Sequence, residues 1–300
     1  MRTTALSIPH TPQAGLVLVT VAFLFAPGLD VFAKLLTQTL SPGMVGFGRF
    51  AVQTILMLPI VLLAGQWIRP GRGHMAAGAL LGLALLCFNA ALQVMPIANA
   101  IAIFFVEPLI LTVLSALILK ERIGWRRILA VVIGLIGALV VIRPNWEAYG
   151  PTAILPLGTA ICFAFYVLIT KVLVKDGRPL ALQFWTGVGA MAVLGFALVI
   201  GDVAGLAVLA PALPNDREMM LFLGMGAIAV VAHQMLVHAL ARVDASVVAP
   251  MQYLEILAAT VFGWWIFGDF PNLWTWCGTA IIVASGIYVF HRERRVREAG

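Results

Sequence analysis

Residues 97–142 read IANAIAIFFVEPLILTVLSALILKERIGWRRILAVVIGLIGALVVI. Two apolar runs flank the charged knot Lys120-Glu121-Arg122. One carboxylate, Glu107, sits inside the first run beside Pro108. About 20 apolar residues make a helix long enough to cross a bilayer. A carboxylate inside such a run is rare and marks a functional position. Residues 245–290 repeat the pattern: shifted by 148 positions, Glu107 falls on Glu255, Thr112-Val113 on Thr260-Val261, and Ile118, Ile133 and Val141 on Ile266, Ile281 and Val289. Earlier in each half the shift is about 137, so that Lys34 meets Lys171 and Phe47 meets Phe184.

The rest of the chain has the same texture. Of its 300 residues 62% are hydrophobic and 11% charged, with a mean hydropathy of +1.03. A soluble fold of this size has no interior large enough for that much apolar surface. Long apolar runs also exclude a barrel, whose strands alternate. Ten spans are predicted, at about 15–37, 43–64, 74–95, 98–119, 125–142, 150–173, 182–202, 217–240, 245–267 and 273–291. Turn formers such as Ser41-Pro42-Gly43 and Phe270-Pro271-Asn272 separate them. The longest connection, near 203–216, has room for a short interfacial helix. The fold class is therefore an all-α integral membrane protein of ten transmembrane helices. Arg2 precedes the first run, which reads as a first span and not as a cleaved signal.

The formal net charge is +6, but the basic residues lie in short clusters between spans, which argues against nucleic acid and for membrane loops. With the N-terminus inside, nearly all loop Lys and Arg fall on the inner side. Arg143 and Arg217 fall outside, and Lys34 and Arg49 lie within spans. Both termini are thus expected in the cytoplasm, with the chain in the inner (plasma) membrane. Cys87, Cys162 and Cys277 lie in apolar runs and read as small buried hydrophobes, and no metal-ligand spacing occurs.

Five spans per repeat is an odd number, so the second copy is inverted across the membrane. The expected units are 15–142 and 150–291, a 5+5 inverted repeat, with tails 1–14 and 292–300. Alternating-access carriers use this architecture, with the binding site near the midplane between the halves. The segments Val106-Glu107-Pro108, Leu119-Lys120-Glu121-Arg122 and Gly134 to Gly137 resemble the repeat of the EamA-type drug/metabolite transporter superfamily. So do Ala249-Pro250, Tyr253-Leu254-Glu255, Phe267-Gly268-Asp269, Gly278 and Gly286. The resemblance covers nearly the whole chain and implies a ten-helix carrier of small organic solutes, with no enzymatic activity. The second copy departs from the pattern: Ile256 replaces the proline after the glutamate, and Asp269 replaces the loop glutamate.

Polar residues within spans need partners or a cavity. Asp30/Lys34, Arg49/Gln53, Asn89/Gln93, Asn99/Glu107, Gln234/His238 and Gln252/Glu255 have spacings that share a helix face. The expected substrate or proton pathway comprises Asp30, Lys34, Arg49, Asn89, Gln93, Glu107, Tyr166, His233, Gln234, Gln252, Tyr253 and Glu255. The bland reading of the amides is interhelical fastening, at ~0.6–2 kcal/mol each. Asp30 and Lys34 are spaced to pair within one helix, and Arg49 has Glu107 or a substrate carboxylate as candidate partners. Glu107 and Glu255 suit a proton or an amine, and His233 suits a proton. Glu121 and Asp269, at span ends, read as structural. Phe104, Phe105, Phe163, Phe165, Tyr166 and Tyr253 can line a pocket for a ring.

The primary expectation is a secondary carrier that exports amino-acid-like or amphiphilic solutes, with protons as the candidate coupling ion. The alternative is an uptake carrier for a vitamin, a nucleoside or an adenosyl-type cofactor. An integral membrane enzyme fits less well, because the loops are short and basic. No P-loop is present. No metal and no cofactor are expected, the partners are small solutes and lipid, and a monomer is expected.

Overall fold

The structure is a computed structural model and describes residues 12–119, 125–173, 178–240 and 254–298. The helices are α1 (Pro12–Leu36), α2 (Pro42–Leu63), α3 (Arg72–Leu92), α4 (Ile97–Phe104), α5 (Glu107–Leu119), α6 (Trp125–Tyr149), α7 (Leu155–Leu173), α8 (Pro179–Ala204), α9 (Asp216–Leu240), α10 (Leu254–Phe262) and α11 (Leu273–Glu298). The described residues contain no strand. Four segments are long and apolar enough to cross a membrane by themselves: Pro42–Leu63, Arg72–Leu92, Asn145–Thr170 and Pro179–Ala204. Shorter apolar helices lie at Ile97–Leu111, Val132–Ile142, Leu254–Phe267 and Leu273–Ser285. Large apolar side chains cover the outside, with Leu63 89% exposed. Lipid, not water, is the solvent for such a surface.

Local chemistry sets the helix ends. Ser41 caps α2 by accepting the Met44 N–H at 3.2 Å, and its hydroxyl donates to the Ala210 carbonyl at 2.7 Å. Asn215 and Glu218 cap α9 reciprocally: the Asn215 N–H donates to Glu218 Oε2 at 2.8 Å, and the Glu218 N–H donates to Asn215 Oδ1 at 2.9 Å. Asn272 accepts the Thr275 N–H at 2.8 Å and starts α11.

Packing follows the repeat. α3 lies along α7, and α9 lies along α1 in the matching way; α5 meets α7 as α10 meets α1. α2 with α8 and α6 with α11 pair matching helices of the two halves. Each half therefore packs mainly on the other, and the described residues form an all-α membrane fold built as a repeat. The close crossings use glycine. A Cβ at Gly78 of α3 would lie 2.5 Å from the Thr186 carbonyl of α8. On α6, a Cβ at Gly137 would lie 3.0 Å from the Gly278 carbonyl of α11.

Four details differ from the sequence expectations. The fourth span is two helices, and it breaks at Phe105–Val106, before Glu107, so that Pro108 falls in the first turn of α5, where a missing N–H costs nothing. Apolar and polar residues beyond the expected ends extend α6 to Tyr149 and α11 to Glu298. The connection after α8 forms only a three-residue 3₁₀ turn, Ala207–Leu209, because Pro211 and Pro214 cut short any helix. Cys277 is exposed, on the outward face of α11, and all three cysteines are free thiols.

Candidate functional site

α1 and α2 bring Asp30 and Arg49 into electrostatic contact. Arg49 also acts on Tyr166 of α7, and Asp30 acts repulsively on Glu255 at the start of α10. Side chains of four helices, two from each half, thus lie within electrostatic reach of Asp30 or Arg49. Arg49 Nε is buried and makes no hydrogen bond among the described residues. Its guanidinium lies 5.7 Å from the centroid of the Phe50 ring. An unsatisfied guanidinium N–H in an apolar interior is costly unless a ligand or water answers it.

From Tyr166 an aromatic row runs along the helices. Tyr166 and Phe163 have ring centroids 5.3 Å apart, Phe163 and Phe104 5.5 Å, and Phe104 and Phe88 6.3 Å. Phe105 stands 6.0 Å from Phe104. These are ordinary tilted and edge-on aromatic contacts. The row belongs to α3, α4 and α7 and meets the charged group at Tyr166, which gives one polar end and one apolar, aromatic side.

Glu107 opens α5 just after the break. It is 4% exposed, and its Oε1 has no hydrogen-bond partner among the described residues. The expected pairing of Glu107 with Arg49 is not what the fold makes: among the described residues the carboxylate acting on Arg49 is Asp30.

Lys34 corrects a second expectation. Although it is four residues from Asp30, its Nζ reaches across to Asp269 Oδ2 at 2.5 Å. It also lies 4.7 Å from the centroid of the Phe267 ring. The i,i+4 spacing allows a pair within α1, but Asp269 comes to meet the ammonium at the end of the helix, while Asp30 is occupied deeper in by Arg49. Asp269, expected to serve only a helix end, is thus half of an ion pair between the two halves.

The amides fasten helices. Asn89 Nδ2 donates to the Pro42 carbonyl at 3.4 Å, and Gln93 Nε2 to the Thr37 carbonyl at 3.3 Å, which ties α3 to the α1–α2 corner. Asn99 Nδ2 donates to Asn145 Oδ1 at 2.7 Å, and Gln234 Nε2 to Gln183 Oε1 at 3.2 Å. Sequence reasoning passed over Asn145 and Gln183 as partners; the only signal was an amide in an apolar helix. His233 belongs to α9, but its side chain lies outside the described residues, as do Gln252 and Tyr253. Among the described residues no group of His, Cys, Asp and Glu could hold a metal ion.

A profile of the EamA-like transporter family matches residues 13–143 and again residues 150–290. The chain belongs to the EamA-like transporter family. This EamA-like transporter is similar to the S-adenosylmethionine uptake transporter of Rickettsia prowazekii (strain Madrid E), with 28% identity over 89% of this chain and 88% of the relative. It is equally similar, at 28% identity, to the riboflavin transporter of Rhizobium johnstonii over 98% of this chain and 97% of the relative. The riboflavin transporter of Vibrio cholerae serotype O1 is 28% identical over 97% of each. A solved crystal structure superposes with a TM-score of 0.64 at 16% identity over 93% of this chain and 98% of the other, a likeness of fold. These names speak for a transporter and not an enzyme, and the expectation of export finds no support among them.

Proposed function

We propose that this EamA-like transporter imports a zwitterionic, ring-bearing cofactor of the adenosyl type across the inner (plasma) membrane, with both termini in the cytoplasm. The observation that carries this reading is the charged group Asp30, Arg49 and Glu255 meeting the aromatic row at Tyr166. Among the described residues Arg49 acts on Asp30, and Asp30 on Glu255, so the group holds one more carboxylate than it has guanidinium. In a low-dielectric cavity such an excess is held only against a cation or a proton. S-adenosylmethionine carries what each part of this group lacks: a sulfonium and an ammonium for Asp30 and Glu255, a carboxylate for Arg49, and an adenine for the aromatic wall. The name of the Rickettsia relative agrees with this chemistry.

The working units of this reading are the two repeats, 15–142 and 150–291, rocking about the site in a monomer. Glu107, buried with a free oxygen, is the proposed carrier of a coupling proton, and His233, Gln252 and Tyr253 are its proposed neighbours on the pathway. A second reading, riboflavin import, is favoured by the length of the aromatic row and by the two riboflavin transporters that match nearly the whole chain.

The test is accumulation of radiolabelled S-adenosylmethionine and of riboflavin in vesicles containing the full chain, with and without an imposed pH gradient. Saturable S-adenosylmethionine entry, competed by excess unlabelled compound, is the expected result. Entry of riboflavin alone moves the assignment to the second reading. Release from preloaded vesicles without entry restores export. Uptake indifferent to the gradient sinks the proton role of Glu107.

A further inference from the structure

We propose that the Lys34–Asp269 ion pair is a latch: it holds one face of the carrier closed over the site, and it opens in every transport cycle. The inference rests on the carrier reading but not on the identity of the solute.

The pair joins the two halves. Lys34 stands in the last turn of α1, and Asp269 in the connection from α10 to α11, 235 residues away in sequence. The same two helices carry the site. Asp30 lies one turn before Lys34 on α1, on the same face, and Glu255 lies in α10, whose C-terminal end leads to Asp269. The α1–α10 seam thus has two electrostatic levels. Deep in the seam, Asp30 and Glu255 lie within electrostatic reach of each other; at its end, Lys34 and Asp269 attract. Breaking the end pair frees the seam to open.

The backbone fixes the aim of Asp269. The chain leaves α10 through a widened turn, Gly263–Phe267, and stops at Gly268, whose φ of +73° is left-handed and open to glycine at no steric cost. The Gly268 N–H donates to the Trp264 carbonyl at 3.0 Å, and the Asp269 N–H to the Gly263 carbonyl at 3.1 Å. Phe267 offers its ring face to the same ammonium, and the Tyr149 hydroxyl at the end of α6 lies within the field of Asp269. The side chains are 14% and 30% exposed. A pair buried beyond reach of water would be locked, and one wholly in water would bias nothing. This pair is placed between the two limits, as a reversible closure requires.

The repeat sets Lys171 and Glu121 at the places that match Lys34 and Asp269. Those two side chains lie outside the described residues, so they serve only as a comparison in the test.

The experiment reads access to the site without any solute. Tyr166→Cys is introduced into the full chain with Cys87, Cys162 and Cys277 replaced by Ser. A membrane-impermeant maleimide is added to right-side-out and to inside-out vesicles. A separate Phe270→Cys chain identifies which preparation presents the 270–272 connection. Lys34→Gln and Asp269→Asn are each expected to speed labelling of position 166 from that face about fivefold, the ratio that losing a modest pair produces. Lys34→Arg, which keeps the charge, should label like the parent, and the exchange Lys34→Asp/Asp269→Lys should return the rate to it. Lys171→Gln should not speed labelling from that face. The proposal is overturned if Lys34→Gln and Asp269→Asn label at the parental rate, which makes the pair a static tie. If one single variant fails to fold, the other gives the same reading. Absence of solute uptake in a chain that shows the labelling change would count against the proposed solute and leave the latch standing.

Discussion

Glu107 and Glu255 occupy matching places in the two halves, yet the fold gives them different work. Glu255 faces Asp30 in a charged group built by α1, α2, α7 and α10. Glu107 stands at a helix break with one buried oxygen unanswered among the described residues. The helix crossings differ in the same way. α3 meets α8 backbone against backbone, with Gly78 against Thr186, Gly189 and Ala190, whereas α2 meets α9 through side chains, with Gly48 against Phe222 and Gly226 against Val52. Duplication copied the path of the chain and left the chemistry of each copy free to diverge. The two crossings between the halves are thus unequal, α3–α8 being the backbone-to-backbone one, and the pair of halves together makes the polar site.

The largest effect is expected at the charge between α1 and α2. Arg49→Met leaves Asp30 without its counter-charge, and breaking a buried pair costs about 3–5 kcal/mol. Loss of solute binding in detergent by more than about 100-fold, or loss of the folded monomer on size exclusion, is the expected outcome; wild-type binding would dissolve the charged group as a unit. Next come the repeat mates themselves. Glu255→Gln should weaken binding of a cationic solute by about 10- to 100-fold, since one charge-assisted contact is worth about 1.5–3 kcal/mol. Glu107→Gln should leave affinity within about threefold, as for a residue outside the central contact. Equal losses measured by isothermal titration would erase the difference between the halves.

The packing asymmetry is tested by methyl groups. Gly78→Ala pushes a Cβ into the α8 backbone and should cost about 2–3 kcal/mol, while Gly226→Ala meets mainly the Val52 side chain, with Cγ1 at 2.5 Å and Cβ at 3.0 Å, and should cost less, about 1–2 kcal/mol. Thermal unfolding of both variants in detergent, with equal shifts, would show the two crossings to be equivalent. The smallest effect belongs to the amide ties. Asn99→Ala frees Asn145 Oδ1 from a 2.7 Å bond within the first half and should cost about 1 kcal/mol. Gln234→Ala breaks a longer bond between α9 and α8 and should cost less. The reverse order in the same melts would place the tighter fastening in the second half.

Much of this was legible residue by residue. The spans follow from runs such as 97–119, and the intramembrane charges Asp30, Arg49, Glu107 and Glu255 stand out because nothing around them in sequence is polar. Partners were not legible. Lys34 is four residues from Asp30, which is the right spacing for a helical pair, but the left-handed stop at Gly268 carries Asp269 to it instead. Asn89 and Gln93 read as a polar face toward a cavity, and their bonds go to carbonyls at the α1–α2 corner. The break before Glu107 was not read from the sequence, where 98–119 is one apolar run; the turn at Phe105–Val106 divides it into α4 and α5.

Sequence by itself determined that this chain lives in lipid, that it has ten spans in two inverted sets, and which charges lie inside. Hydrophobic length and internal repetition are local quantities, and the bilayer turns them directly into topology. Tertiary structure alone decided which charge answers which. A Coulombic contact depends on distance between side chains on different helices, and that distance is set by interhelical crossings no single segment contains. For that reason Arg49 serves Asp30 and Tyr166, Lys34 closes on Asp269, and Glu107 is left with an open oxygen.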